Sequence, residues 1–77
     1  MKVEVQLYAT LRKYGPLQEG PLVVDLTEGD QVARVLEILG MPPDEDKVIL
    51  VNGRPAKWDS VLTEGDRVVL FPAVAGG

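Results

Sequence analysis

The chain contains no cysteine and no histidine. The first absence excludes disulfides and thiolate metal sites, and the second removes the commonest general base and metal ligand. Most enzyme classes are thereby set aside before any motif is sought. Aromatic residues are scarce, with one Trp, one Phe and two Tyr. No apolar run approaches the roughly 18 residues that a membrane-spanning helix needs, so no membrane association is expected. The basic residues Lys2, Arg12, Lys13, Arg34, Lys47, Arg54, Lys57 and Arg67 are scattered rather than clustered, which argues against nucleic acid as a partner. The net charge of −4 reads as a solubilising surface. A strand-like pattern begins at Lys2 with no leader before it, and a cytoplasmic location is expected.

What is present is enough to fold. Of 77 residues, 45% are hydrophobic and 26% charged, a globular balance rather than a disordered one. The length sets one domain over residues 1–77, near the lower limit for a core without staples. Lys2 to Tyr8 alternates polar residues with Val3, Val5 and Leu7, the period of a half-buried strand with Tyr8 on its solvent side. Gly15, Pro16, Gly20 and Pro21 bracket a turn, and Leu22 to Leu26 forms a second strand, in a hairpin with the first. Ala9 to Tyr14 is too short to assign.

Asp30 is placed to cap a helix whose apolar positions Val32, Val35, Leu36 and Leu39 follow at helical spacing, and Gly40, Pro42 and Pro43 stop it. Val48-Ile49-Leu50-Val51 is an unbroken apolar run that suits an interior strand, and Asn52-Gly53 is a turn signal after it. Pro55 to Lys57 reads as a short edge strand, Ser60 to Leu62 as one helical turn, and Arg67 to Phe71 as the last strand. Val68 and Leu70 lie on one face of that strand, Val69 and Phe71 on the other.

The segment LTEGDQV at Leu26 to Val32 nearly repeats as LTEGDRV at Leu62 to Val68. The apolar spacing after the first copy is helical and after the second strand-like, so the repeat is turn chemistry and not a duplicated unit. Gly29 and Gly65 would supply positive φ, and Asp30 and Asp66 side-chain hydrogen bonds. Trp58 is expected as a hydrophobic plug beneath its loop. Asp44-Glu45-Asp46 is read as a solvated loop rather than a metal cluster.

The residues that carry chemistry lie at the end. Pro72 cannot donate to a sheet ladder and should end the last strand. Residues 72–77, Pro72-Ala73-Val74-Ala75-Gly76-Gly77, then form a projecting tail that reaches roughly 20 Å at about 3.3 Å per residue. Two terminal glycines lack Cβ atoms and can thread a narrow channel, presenting the Gly77 carboxylate to a nucleotide or a catalytic site. An ionised carboxylate is a poor electrophile and must be activated first. Adenylation by ATP would give an anhydride open to attack by sulfur, leaving a thiocarboxylate, or by an amine, leaving an isopeptide. Tyr8, Phe71 and Pro55 form a candidate docking patch.

The order strand, strand, helix, strand, short strand, strand is that of an α+β chain, a mixed sheet of four to five strands on one main helix. It resembles the ubiquitin-like β-grasp, and that resemblance places the first and last strands side by side and parallel. The end VLFPAVAGG, with EGDRV before it and VNG upstream, resembles the small sulfur-carrier family that includes the small subunit of molybdopterin synthase and the thiazole sulfur carrier of thiamine synthesis. The opening KVEVQLYATLRKYG and the pair Phe71-Pro72 are similar to the molybdopterin synthase small subunit. Ala73 stands where a second proline commonly follows in that subunit. Thiazole carriers resemble the chain at VAGG but are usually shorter in the first hairpin.

The resemblance implies a cycle. An ATP-dependent adenylyltransferase of the ubiquitin-activating type adenylates Gly77, a persulfide sulfurtransferase supplies sulfur, and the thiocarboxylated tail enters the large synthase subunit in a heterotetramer. There it donates sulfur to a pterin precursor for the dithiolene of the molybdenum or tungsten cofactor. The chain itself would bind no cofactor and would not be an enzyme on its own. Gly76 and Gly77 would carry the reaction, with Phe71, Pro72, Ala73, Val74, Ala75, Tyr8 and Pro55 meeting the partner. The other readings are a protein modifier conjugated through Gly77, a carrier for thiamine thiazole synthesis, and an adaptor whose tail is idle.

Overall fold

The computed structural model describes residues 1–15 and 20–73. Strand β1 (Lys2–Leu7) is followed by a 3-10 helix (Ala9–Tyr14) and strand β2 (Leu22–Asp25). Helix α1 (Val32–Leu39) comes next, then β3 (Val48–Val51), β4 (Arg54–Pro55) and β5 (Arg67–Phe71). The strands make one mixed sheet in the order β2-β1-β5-β3-β4. β1 and β5 are parallel at its centre, with Val5 level with Val68 and Leu7 with Leu70, the adjacency expected from the β-grasp. All other pairings are antiparallel.

Alternation explains the two faces of the sheet. Val3, Val5 and Leu7 of β1, Val24 of β2, and Val68 and Leu70 of β5 point to one side and are buried, where they meet Val32, Val35 and Leu36 of α1. The apolar positions of α1 thus recur on one stripe, as its spacing required. The unassigned segment 9–14 is the 3-10 helix, and it contributes one core residue, Leu11, 1% exposed. Gly15 ends it against β1. A Cβ there would lie 2.7 Å from Leu7 Cδ1, so any larger residue would require the Leu7 side chain to move.

Four local expectations are corrected. Asp30 does not cap α1: its Oδ2 accepts the Thr27 N–H at 2.9 Å instead, and the cap residue is Gln31, which makes no side-chain cap bond. The first helical N–H groups are satisfied from another loop, Val32 N–H by the Ser60 carbonyl at 3.0 Å and Ala33 N–H by that of Trp58 at 2.7 Å. Ser60 to Leu62 is therefore extended rather than helical, with Val61 bridging Gln31. Trp58 is no plug, being 63% exposed. The short edge strand is Arg54–Pro55 and not Pro55 to Lys57. At the other end of α1, Gly40 is left-handed, and the Gly40 and Met41 N–H groups cap the Glu37 and Leu36 carbonyls.

The two Thr-Glu-Gly-Asp segments fold alike. Gly29 and Gly65 have φ of 90° and 80°, and each Asp N–H returns to the Thr carbonyl while the Asp carboxylate takes the Thr N–H. The second copy is tied further, since Asp66 Oδ1 accepts from Thr63 Oγ1 at 3.0 Å and from Asn52 Nδ2 at 2.9 Å. Burial alone would push the Asp66 pKa up, but the hydrogen bonds from Asn52 and then Thr63 together outweigh it and hold the carboxyl below its ordinary 3.8. A depressed carboxyl pKa contributes stability that is full above the unfolded value and is lost as pH falls through the folded one. Asp66→Asn is expected to cost about 1 kcal/mol at neutral pH, with the gap from wild type closing in the acid range below pH 3.8. Urea unfolding at a series of pH values reads this directly, and a constant gap would contradict it.

Candidate functional site

The sheet face opposite the core divides into two halves. On β1 and β2 it is polar: Lys2 lies opposite Asp25 and Glu4 opposite Val23, and Glu4 Oε2 pairs with Arg67 Nε at 2.7 Å. On β5, β3 and β4 it is apolar. Register puts Val48 opposite Phe71 and Leu50 opposite Val69, and Leu50 opposite Pro55. The Tyr8 N–H donates to the Leu70 carbonyl at 3.1 Å, which carries the β1–β5 ladder one residue further and brings Tyr8 level with Phe71. Cross-strand neighbours on one face stand about 5 Å apart, so these six residues form one continuous surface.

No other described element covers that surface. Val48, Leu50, Val69 and Phe71 are half-buried, while Tyr8 and Pro55 are exposed. The core lies on the other side of the sheet, so these apolar groups are not required to fill it. A contiguous apolar patch rimmed by charge marks an interaction surface. The patch also lies beside the point where β5 ends. Pro72 is half-buried and outside the strand, and Ala73 is exposed.

The structure thus brings Tyr8, Phe71 and Pro55 onto one face with Pro72 beside it. Val74, Ala75, Gly76 and Gly77 lie outside the described residues. Val48, Leu50 and Val69 are members of the surface that the sequence reading missed. The unbroken run Val48 to Val51 reads as an interior strand, which it is, but its pattern does not mark one face as outer. Only Ile49 and Val51 pack on the core, and β3 has beyond it just the two-residue β4. The brevity of that edge strand was the available signal.

The outer face presents mainly apolar contacts. The chain has no Cys or His, and among the described residues no group of three carboxylates could hold a metal ion. The two described groups with displaced pKa values, Tyr14 and Asp66, belong to other parts of the fold. Among the described residues no helix is long and apolar enough to cross a membrane.

Comparison with known proteins agrees with the β-grasp. The model of the ThiS family matches residues 5–77. A protein provisionally designated molybdopterin converting factor, subunit 1, from Pyrococcus furiosus shares 33% identity, with a TM-score of 0.73 over 95% of this chain and 98% of that one. Small archaeal modifier protein 1 of Haloferax volcanii is 25% identical, with a TM-score of 0.75 over 95% and 98%. A complex of subunits 1 and 2 of the molybdopterin-converting factor of Helicobacter pylori contains a chain of the same fold, 22% identical, with a TM-score of 0.61 and full coverage of both chains. No significant match was found among curated proteins.

If the outer face serves contact rather than folding, its residues should be cheap to replace. Leu50→Ser is expected to change stability by no more than about 1 kcal/mol, whereas Leu70→Ser, on the buried face of the neighbouring strand, should cost more than about 3 kcal/mol. Denaturant midpoints of the two variants decide it, and equal losses would make the outer face part of the structural core.

Proposed function

The chain belongs to the ThiS family of ubiquitin-like proteins, and on that premise we propose that it is a thiocarboxylate sulfur carrier of the type of the molybdopterin synthase small subunit. The observation that carries the reading is the 33% identity, over nearly the whole of both chains, to the Pyrococcus furiosus protein whose name is that of a molybdopterin converting factor subunit. The geometry supports it: the strand that leads to Gly77 is a central strand of the sheet, and the apolar outer face adjoins its end. A partner seated on Val48, Leu50, Val69 and Phe71 would be positioned to receive the residues that follow Ala73.

In this reading the Gly77 carboxylate attacks the α-phosphorus of ATP on an adenylyltransferase, releasing pyrophosphate and forming an acyl-adenylate. The terminal sulfur of a persulfide then attacks the acyl carbon and expels AMP, which leaves an acyl disulfide. A thiol attacks the sulfur remote from the acyl group, so a disulfide departs with two electrons supplied by the thiol, and the thiocarboxylate remains. On the large synthase subunit the thiocarboxylate sulfur attacks a carbon of the pterin precursor and displaces an oxygen substituent from it, leaving the carrier joined to the precursor as a thioester. Water then attacks the acyl carbon, returning the carboxylate and leaving sulfur on the product. The groups that act on the precursor belong to the large subunit, consistent with a carrier chain that holds no Cys or His.

The similarity to Haloferax volcanii small archaeal modifier protein 1 favours a second outcome for the same activated Gly77, attack by a lysine amine to form an isopeptide. The carrier reading predicts that chain purified from its own cells, without reducing or alkylating steps, contains a species heavier than the sequence mass by the difference between one sulfur and one oxygen. Intact mass spectrometry checks this. Conjugates of higher mass in its place would select the modifier reading, and absence of the sulfur species with activating enzyme, ATP and donor all supplied would refute the carrier.

A further inference from the structure

A second apolar surface lies on the other side of β3. Neighbouring residues of a strand point to opposite faces, so while Leu50 faces outward, Ile49 faces the helix side. There a groove opens between α1, the connection through Met41 to Lys47, and the loop after β4. Its floor is Leu36, Met41 and Ile49, and Trp58 forms part of its wall.

Trp58 has no role in the core, yet its backbone is fixed. Its carbonyl accepts the Ala33 N–H at 2.7 Å, and its turn is closed by the Lys57 N–H on Ser60 Oγ at 2.9 Å and the Ser60 N–H on the Lys57 carbonyl at 3.1 Å. The indole, 63% exposed, is thus a large aromatic surface held beside a groove, and aromatic side chains so placed dominate binding energies.

The groove's rim is acidic. Glu37, Asp44 and Asp46 line it, and neither Asp44 nor Asp46 has an ion-pair or hydrogen-bond partner among the described residues. Glu45 is occupied by the Tyr14 hydroxyl at 2.5 Å. That bond is the main cause holding the Tyr14 pKa above its ordinary 10.0. Of the two bases lining the groove, Lys47 donates to the Glu45 carbonyl; Arg34 pairs with Glu37 at 3.8 Å and Lys13 with Glu45 at 3.9 Å, so Asp44 and Asp46 carry the rim's acidity.

We propose that this groove is a docking site for a partner polypeptide segment that carries a bulky apolar side chain flanked by arginine or lysine. The apolar side chain would lie against Trp58 and Met41, and the cations against Asp44 and Asp46. An acidic segment would bring like charge against these carboxylates. Because the groove and the outer apolar face lie on opposite sides of β3, one chain can hold both partners at once. This site is independent of the chemistry at Gly77.

Trp58 is the single tryptophan, so its fluorescence reports on the groove. The probe is a short synthetic peptide with one phenylalanine between arginines, titrated into the full chain, with an otherwise identical peptide bearing glutamates as control. The arginine peptide is expected to give a saturable blue shift that weakens with salt, and the glutamate peptide none. Amide resonances of Leu36, Met41, Ile49 and Trp58 should move while those of Leu50 and Val69 stay in place. Asp44→Asn with Asp46→Asn should weaken binding roughly fivefold, and Trp58→Ala, followed by anisotropy of labelled peptide, roughly tenfold or more. Asp44, Asp46 and Trp58 are exposed, so the variants should fold. The proposal is overturned if the arginine peptide gives no saturable change, if the two peptides bind alike, or if the shifts fall on the outer face. A blue shift with protein concentration alone would also overturn it, making a second copy the occupant.

Discussion

The parallel pairing of β1 with β5 is the constraint on which the rest depends. It joins Glu4 through Leu7 to Arg67 through Leu70, so the two strands most distant in sequence stand together in the middle of the sheet. Such a pairing closes nearly the whole chain into a loop, which costs conformational entropy that only burial can offset. Val3, Val5, Val68 and Leu70, each 1% exposed or less, supply that burial from the two strands at once. With β5 held there, the C-terminal end of the chain leaves from a fixed point, and the outer residues of β5 and β3 are aligned beside it.

The turn before β5 enforces that pairing. Asp66 closes its own turn on Thr63 and reaches Asn52 of the β3–β4 hairpin, and the Asn52 side chain in return accepts the Arg67 N–H at 3.0 Å. The adjacent carbonyl of Asp66 takes the Glu4 N–H at 2.9 Å. One turn therefore sets the start of β5 against both of its neighbours, and a one-residue slip, which would send Val68 and Leu70 outward, is opposed at its origin. In the first copy the Asp30 carbonyl takes the Leu62 N–H at 2.9 Å, and the turn leads into a helix instead.

Most of this was legible in the residues. The period-two pattern of β1 and β5 and the helical spacing of Val32, Val35 and Leu36 gave the elements, because burial on one face leaves a periodic trace. The Glu-Gly-Asp turns were readable because positive φ and a short carboxylate are local requirements. What was not legible depended on distant chain. The N–H groups of α1 are capped by the Trp58 and Ser60 carbonyls, which leave no mark on the sequence near Asp30. Trp58 looked like a plug because large aromatics usually are buried, and only the closed turn beneath it shows that its ring is left outside. Val48 and Leu50 were hidden within an apolar run that does not say which side is covered.

The fold and the proposed chemistry meet at the end of β5. The described residues offer surfaces for partners, and the proposed chemistry assigns the working group to the terminal carboxylate. The central claim is that this carboxylate, and no other group, is what an activating enzyme recognises. Exchange of labelled pyrophosphate into ATP, catalysed by the adenylating enzyme of the same cells, tests it most directly. A chain that ends at Gly77 should support exchange, and a chain with one residue appended beyond Gly77 should support none. Equal exchange with the extended chain would contradict the account.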